Sequence, residues 1–341
     1  MIPAWQQFLE QQGARVADGG VADYGEPLHE LAGAQTGTVM ADLSQLGVLA
    51  FSGEDAADFL QSQFTNDVRG LRQDAAQWNG YCSAKGRLLG NFLVWRDGAD
   101  YCLQMSGDIS AGLLKRLGMF ILRAKVKGRD AGAERVRLVV AGPQAPDAVT
   151  EAMGNIPAQA MQTLGGNQGL VVRLGADKFV LALYPDHAPA VWQTLKSQAR
   201  PVGSAVWDWL RLSNGIPMIV AATQDQFVPQ MVNWEILGGV NFQKGCYPGQ
   251  EIVARSQYLG KLKRRMLLAH VDGGSPAPGD ALYSDDLPGQ ASGTVANAAH
   301  APGGGYDLLA VLQTESASHP VHWKTPDGPI LSFRGLPYAL P

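Results

Sequence analysis

The stretch KGCYPGQEIVAR, residues 244–255, places a cysteine directly before a tight turn. Pro248 presets the first central φ of a type II turn, and Gly249 accepts the positive φ that follows. We therefore expect the chain to reverse over residues 247–250. A cysteine beside such a turn could be a core residue, a nucleophile, a metal ligand or part of a binding loop.

Apolar spacing after the turn predicts a helix from Gln250 to Leu259 that ends at Gly260. Cys246 would then lie just ahead of a helix N-terminus, where unpaired amides and the helix dipole favour negative charge. Lys244 lies two residues away. The position suits a thiolate, and it also suits an anionic ligand held by backbone N–H groups. A buried structural thiol is the other interpretation.

Residues 244–265 concentrate positive charge, with six cations against the single acid Glu251. The local charge is +5 in a chain whose net charge is −4. One interpretation is a solvated linker. The other is a seat for a polyanion such as a polyglutamate tail or a phosphate. The cations are Lys244, Arg255, Lys261, Lys263, Arg264 and Arg265.

Composition excludes several classes of protein. The acidic net charge argues against a polycation made for nucleic acid. The N-terminus has no basic region before an apolar run, and no run of about 18 apolar residues occurs, so we predict a cytoplasmic protein without a membrane partner. Cys82, Cys102 and Cys246 are an odd, widely spaced set, which predicts neither a disulfide scaffold nor a metal site.

Local patterns predict alternating helices and strands in a chain of 341 residues, long enough for two or three domains. A helix is expected in 52–67, a hairpin about Asp97-Gly98, and a helix that Asp108 caps. From about residue 262, short strands separated by glycine and proline predict a small all-β domain.

KGCYPGQEIVAR resembles the signature Lys-Gly-Cys-Tyr-x-Gly-Gln-Glu of the YgfZ-type folate-binding proteins. The resemblance spans about residues 30–270, and its superfamily includes the glycine-cleavage T-protein, a tetrahydrofolate-dependent aminomethyltransferase. Four further segments stand in the expected order: FLQSQFTNDV (59–68), YCSAKGRLLGNFLVW (81–95), RLSNGIP (211–217) and FVPQMVNW (227–234).

The resemblance implies an α+β fold, a three-domain ring of the T-protein folate-binding type with an all-β C-terminal barrel domain. Its central hole holds tetrahydrofolate in that superfamily. The implied first domain is discontinuous, residues 1–46 with 131–255. The second spans 47–130 and the C-terminal domain spans 256–341.

The resemblance also bears on activity. The paired acids of the T-protein enzymes fall on Gly90 and Asn91, and their pterin-binding glutamate falls on Ser213. None of these can supply the negative charge that would steady a cationic methylene-folate, which argues against aminomethyl transfer. The implied function is a tetrahydrofolate-binding accessory factor for assembly or repair of iron–sulfur clusters, including those of radical-SAM tRNA methylthiolation. The alternative is a folate-dependent aminomethyl- or methyltransferase.

Carried over to this sequence, the family motif implies a functional thiol, Cys246, that contacts a cluster, a partner thiol or a one-carbon unit. The implied partners are folate and iron–sulfur client or assembly proteins, without direct nucleic-acid binding. For Asn66 and Asp67 a structural capping role is equally open. The residues implied to bind tetrahydrofolate or a one-carbon derivative are Lys244, Tyr247, Gln250, Glu251, Arg255, Asn66, Asp67 and Asn91.

Overall fold

The structure, a computed structural model, describes residues 1–258 and 262–341. The predicted helix end at Leu259 and Gly260, and the cation Lys261, lie outside the described residues. The chain divides into two compact units. Unit 1 comprises 1–56, 70–77 and 93–207, and unit 2 comprises 57–69, 78–92 and 208–341.

The α-helices in the described residues are α1 (Pro3–Gln11), α2 (Pro27–Gly33), α3 (Ala56–Gln63), α4 (Gly107–Ile121), α5 (Ala145–Met153), α6 (Ala188–Lys196), α7 (Ser204–Ser213) and α8 (Gln250–Tyr258). The strands are β1 (Arg15–Ala17), β2 (Gly20–Asp23), β3 (Val39–Asp42), β4 (Leu46–Ser52), β5 (Ala76–Cys82), β6 (Leu88–Asp97), β7 (Asp100–Ser106), β8 (Lys127–Asp130), β9 (Val136–Ala141), β10 (Thr163–Gly166), β11 (Gly169–Arg173), β12 (Lys178–Leu183), β13 (Arg200–Val202), β14 (Arg264–Val271), β15 (Ala281–Ser284), β16 (Ala291–His300), β17 (Tyr306–Gln313), β18 (Val321–Trp323) and β19 (Ser332–Arg334).

Unit 1 is built on a sheet in the order β10-β11-β12-β9-β3-β13, antiparallel except for the parallel pair β13 and β3. Helices α1, α5 and α6 bury one apolar face in its core. Trp5 and Leu9 lie four residues apart on α1, and Trp192 and Leu195 lie three apart on α6, so each pair shares one helix face.

The second sheet has the order β5-β6-β7-β4-β8. The hairpin predicted about Asp97-Gly98 is confirmed: β6 and β7 pair from Asp97 and Asp100, and Gly98 has a φ of +60°. The predicted N-cap of α4 is wrong, because Ser106 is the capping position. Asp108 lies in the first turn, where its carboxylate accepts a hydrogen bond from the Ser106 hydroxyl at 2.7 Å.

The C-terminal region folds as an antiparallel sheet in the order β18-β15-β16-β17-β14-β19. Strand β17 is buried on both faces. Leu308 and Ala310 enter a core within the C-terminal region, whereas Leu309 and Val311 pack against the segment from 212 to 253. The α+β fold with an all-β C-terminal domain is thereby confirmed. The three-domain boundaries stay a prediction.

Candidate functional site

The three cysteines differ sharply in exposure. All are free thiols, and Cys246 is exposed whereas Cys82 and Cys102 are buried. Burial raises the pKa of the Cys82 thiol, and the nearby Asp225 carboxylate raises it further. Burial likewise raises the pKa of Cys102 to about 12. Cys246 is therefore the cysteine that solvent or a partner can reach.

The turn that follows Cys246 has the predicted geometry. The Gln250 N–H donates to the Tyr247 carbonyl at 3.2 Å, and Gly249 has a φ of +77°. Helix α8 begins at Gln250, as the sequence predicts. Cys246 thus lies ahead of a helix start, on the loop from Lys244 to the turn at 247–250.

Lys244 holds the loop from one side. Its side chain is buried, with 8% of the residue exposed, and its ammonium donates to backbone carbonyls at the C-terminal end of α3. These belong to Gln61 at 2.6 Å, Phe64, and Asn66 at 3.1 Å. The last carbonyls of a helix have no partners within it and favour a cation. The ammonium of Lys244 therefore donates to a helix end rather than facing solvent.

Burial also affects the proton equilibrium of this lysine. It lowers the pKa of Lys244 to about 8, and the nearby Asp67 carboxylate opposes that shift. The ammonium lies 5.3 Å from the centre of the Tyr247 ring. The Tyr247 side chain is itself buried, and burial raises the pKa of its hydroxyl. Two residues of the motif therefore lie together inside the fold.

Asn241 directs Lys244 inward. Its side-chain oxygen accepts the N–H groups of Gln243 at 2.8 Å and Lys244 at 3.1 Å, which forms a turn within the chain. Its own N–H donates to the Thr65 carbonyl at 2.9 Å. Asn241 was not among the site residues predicted from the sequence. Its position three residues before Lys244 is the signal that could have identified it.

Thr65 and Asn66 connect β5 to the segment before the motif. The Thr65 hydroxyl donates to the Gly239 carbonyl at 2.6 Å and accepts the Gly80 N–H at 2.8 Å. The Asn66 amide nitrogen donates to the carbonyls of Trp78 and Gly238, both at 2.8 Å. Both residues therefore have a structural role. A folate-binding role for Asn66 and Asp67 stays a prediction.

Two glycines hold the other side of the loop. A Cβ atom on Gly249 would lie 2.4 Å from the Ser83 carbonyl oxygen and 2.5 Å from Cα of Gly86. A Cβ atom on Gly86 would lie 2.8 Å from Cβ of Ile252. The turn at 83–86 and the turn at 247–250 therefore pack backbone against backbone. Gly86 lies within the segment YCSAKGRLLGNFLVW (81–95), which resembles the family, but it was not among the predicted site residues.

Hydrogen bonds of the Ser83 side chain stabilise the turn at 83–86. The Ser83 hydroxyl donates to the Asp225 carboxylate at 2.6 Å and accepts the Lys85 N–H at 3.3 Å. Asp225 has a φ of +57°, a conformation that L-residues seldom adopt. Its N–H donates to the Leu88 carbonyl at 2.9 Å, which holds this backbone against β6.

Asn91 is buried and engaged on both sides. Its amide nitrogen donates to the Pro217 carbonyl at 2.9 Å, and its oxygen accepts the Ile219 N–H at 2.7 Å. The Asn91 side chain therefore bonds the backbone of residues 217 and 219 in the way that the backbone of a paired strand would. Ser213 makes a local bond, in which its hydroxyl donates to the Leu210 carbonyl at 3.1 Å.

The remaining motif residues are more accessible. Glu251 and Arg255 are exposed on α8, and Gln250 is half-buried, with Nε2 3.5 Å from the Lys244 carbonyl oxygen. The described cations of 244–265, which exclude Lys261, do not all lie on the surface. Arg265 has 13% of its side chain exposed and pairs with Glu235, whose pKa burial raises. Like Lys244, it is engaged within the fold.

Residues 1–258 and 262–341 lack both a metal-binding cluster and a membrane-spanning helix. In these ranges no group of three or more histidine, cysteine, aspartate or glutamate side chains could hold a metal ion. Nor does any helix within them have the length and apolar character needed to cross a membrane.

Comparison with known proteins identifies the family. Residues 24–237 match the family described as the GCVT N-terminal domain. The tRNA-modifying protein YgfZ of Colwellia psychrerythraea is 31% identical over 251 residues, which cover 73% of this chain and 77% of that protein. The tRNA-modifying protein YgfZ of Escherichia coli O7:K1 is 29% identical over 318 residues, 92% of this chain and 97% of that protein.

A solved structure shows the same fold. The glycine cleavage system aminomethyltransferase T from Bartonella henselae aligns with a TM-score of 0.79 over 98% of this chain and 97% of that chain, at 19% sequence identity. The family match covers more than half of the chain, and the YgfZ relatives cover most of its length. The chain therefore belongs to the GCVT-domain family and, within it, to the YgfZ proteins.

Proposed function

We propose that the protein is a tetrahydrofolate-binding accessory factor for assembly or repair of iron–sulfur clusters in a subset of enzymes, with Cys246 as its functional thiol. One observation carries the proposal: Cys246 is exposed on a loop that Lys244 holds on one side and the contact of Gly249 with Gly86 holds on the other. A rigid loop presents a reactive group in a fixed place, as a transfer step requires.

The thiol chemistry is limited by the number of ligands. Iron–sulfur clusters usually take four cysteine ligands, and here one thiol is exposed. Cys246 therefore acts by transient contact, either with a cluster held by a client protein, with a partner thiol or with a one-carbon unit. The relatives named tRNA-modifying protein YgfZ support a client among tRNA-modifying enzymes, such as a radical-SAM methylthiolase.

The proposed folate contacts lie on α8. Among the residues that the family motif implies, Arg255 and Glu251 are exposed and Gln250 is half-buried. Arg255 and Gln250 can donate to an anionic ligand such as the glutamyl end of folate, whereas the carboxylate of Glu251 can only accept from N–H groups of the ligand. The ammonium of Lys244 and the amides of Asn66 and Asn91 are already engaged by backbone groups. Lys244 thus acts on the ligand through the loop that it positions.

Asn91 argues against aminomethyl transfer. An amide cannot supply the negative charge that this reaction needs, and both sides of this amide already contact residues 217 and 219. The fold shared with aminomethyltransferase T is consistent with either chemistry, because a fold carries many functions. We therefore place the protein among accessory factors rather than aminomethyltransferases.

The test combines folate binding with cluster-dependent activity. Calorimetric titration with tetrahydrofolate is expected to show saturable binding that Arg255→Ala weakens by about tenfold, the loss of one charge-assisted contact. Lys324→Ala, an exposed cation of the C-terminal sheet, is the control. Absence of tetrahydrofolate binding by the wild-type protein would remove the folate part of the proposal.

A deletion strain tests the thiol separately. Cys246→Ser is expected to fold normally and bind folate, yet to fail to restore the activities of cluster-dependent enzymes. Cys102→Ala, which alters a buried thiol, is the control and should restore them. Full restoration by Cys246→Ser would exclude the thiol from the mechanism while leaving folate binding intact.

A further inference from the structure

A second surface, remote in sequence from Cys246, has no place in the proposed function. Residues 115–127, KRLGMFILRAKVK, run from the last turns of α4 to the start of β8, and we call them the basic tip. This segment has five cations and no acid, in a chain of net charge −4. It belongs entirely to unit 1.

The basic tip exposes large apolar side chains. Met119 is 59% exposed, Phe120 is 46% exposed and Leu122 is 87% exposed. The inner face of α4 is buried in the ordinary way, with Leu113 at 2% and Leu117 at 1%. Single exposed apolar residues are common on protein surfaces, but three within four consecutive residues are typical of an interaction site.

The backbone at Leu122 adds a second observation. Leu122 ends α4 with φ of 48° and ψ of −106°, a conformation unfavourable for a residue with a Cβ atom. Glycine or asparagine commonly takes the position after a helix. Here a leucine combines an unfavourable backbone conformation with 87% exposure.

Most cations of the basic tip are exposed to solvent. Lys125 pairs with Glu54 at 2.6 Å. Within residues 1–258 and 262–341, no ion pair involves Lys115, Arg123 or Lys127, and all three are exposed. Cations therefore flank the three apolar side chains on both sides in sequence.

We propose that the basic tip binds the surface of an anionic phospholipid bilayer, with Met119, Phe120 and Leu122 entering the headgroup region. The sequence prediction of no membrane partner rested on the lack of a long apolar run, which argues against a membrane-spanning segment and not against attachment at the surface. Apolar side chains that project from a helix end, flanked by lysine and arginine, are typical of interfacial attachment. Three of the five cations of the tip are lysines, which are depleted in the interfaces between proteins. Single-stranded RNA is bound by stacking on aromatic or guanidinium planes, whereas two of the three exposed apolar side chains, Met119 and Leu122, are aliphatic and suit hydrocarbon better.

The test is flotation of the full-length protein with vesicles. Vesicles of equal parts phosphatidylglycerol and phosphatidylcholine should carry the protein, and vesicles of phosphatidylcholine alone should carry much less. Leu122→Asp should lower vesicle binding at least about tenfold, since it places an anion where the bilayer would bury an apolar side chain. Leu28→Asp is the matched control, because Leu28 is a 74% exposed leucine on α2 outside the basic tip.

Charge is tested by the double variant Lys115→Ser with Arg123→Ser. Each cation near an anionic surface contributes about fivefold, so the pair should weaken binding by about 30-fold. The proposal is overturned if the wild-type protein does not float with anionic vesicles, or if Leu122→Asp floats as well as Leu28→Asp. Binding of tRNA that the double variant loses and Leu122→Asp keeps, without vesicle binding, would replace the lipid by a nucleic acid.

Discussion

The change Lys244→Met tests whether this lysine holds the Cys246 loop. Methionine keeps the length and apolar stem of the side chain and removes the ammonium that three backbone carbonyls share. A hydrogen bond to a charged group contributes about 1.5–3 kcal/mol net. The change leaves buried neutral carbonyls without this donor, and an unsatisfied buried acceptor costs about 1–3 kcal/mol. Since no unpaired charge is left behind, we expect the loss of stability to lie within that range.

The assay must report on unit 2 alone, since a chain of two units need not unfold in one step. Cys82 is a buried thiol of unit 2 and Cys102 is a buried thiol of unit 1. Alkylation in increasing urea, followed by mass spectrometry of each cysteine peptide, gives the unfolding transition of each unit from one sample. Lys244→Met should move the Cys82 transition to lower urea and speed alkylation of Cys246.

The pH dependence of this prediction has a definite sign. The pKa of Lys244 is about 8 in the fold and 10.5 when unperturbed, so between those values the unfolded chain binds more protons. The free energy of unfolding of unit 2 should therefore rise with pH from about 8 to about 10.5, by less than about 1.4 kcal/mol per pH unit. In Lys244→Met this contribution should be absent.

The control is Lys85→Met, an exposed lysine of the same unit, for which a change within about 0.5 kcal/mol is expected. If Cys82 became alkylated at the same urea concentration in Lys244→Met and Lys85→Met, the helix-end role of Lys244 would be refuted. An unchanged rate of Cys246 alkylation in a destabilised Lys244→Met protein would refute only the link between Lys244 and the loop.

Three further outcomes follow from the contacts. In native protein a disulfide reagent should titrate Cys246 alone, and all three cysteines in urea; native labelling of Cys82 would contradict its burial. Gly86→Ala should change the rate of Cys246 labelling several-fold, because the added Cβ atom displaces Ile252. Gly98 has a similar φ and open space around it, so Gly98→Ala should only destabilise the protein, by about 1–2 kcal/mol. Equal labelling of Cys246 in the two variants would disprove the packing argument. Asn91→Asp should lose the donor to the Pro217 carbonyl and destabilise the protein by about 1–3 kcal/mol, whereas the wild-type protein should show no aminomethyl transfer with tetrahydrofolate; that activity in the wild-type protein would refute our exclusion of it.

The sequence by itself determined the features that depend on neighbouring residues. The turn at 247–250, the start of α8 and the hairpin at Asp97-Gly98 all follow from proline, glycine and apolar spacing within a few residues. The antiparallel C-terminal sheet was predictable for the same reason. The N-cap of α4 was misplaced by two residues, because serine and aspartate are both good capping residues and lie close together there.

Only the tertiary structure decided what the motif residues do. Lys244 was predicted to provide a surface charge, yet its ammonium contacts a carbonyl 183 residues earlier in the chain. Asn91 bonds Pro217 across 126 residues, which no local pattern indicates. The contact between Gly86 and Gly249 likewise joins two turns that are distant in sequence. The sequence supplies donors and acceptors, and the fold decides which of them meet and which, like Cys246, stay exposed.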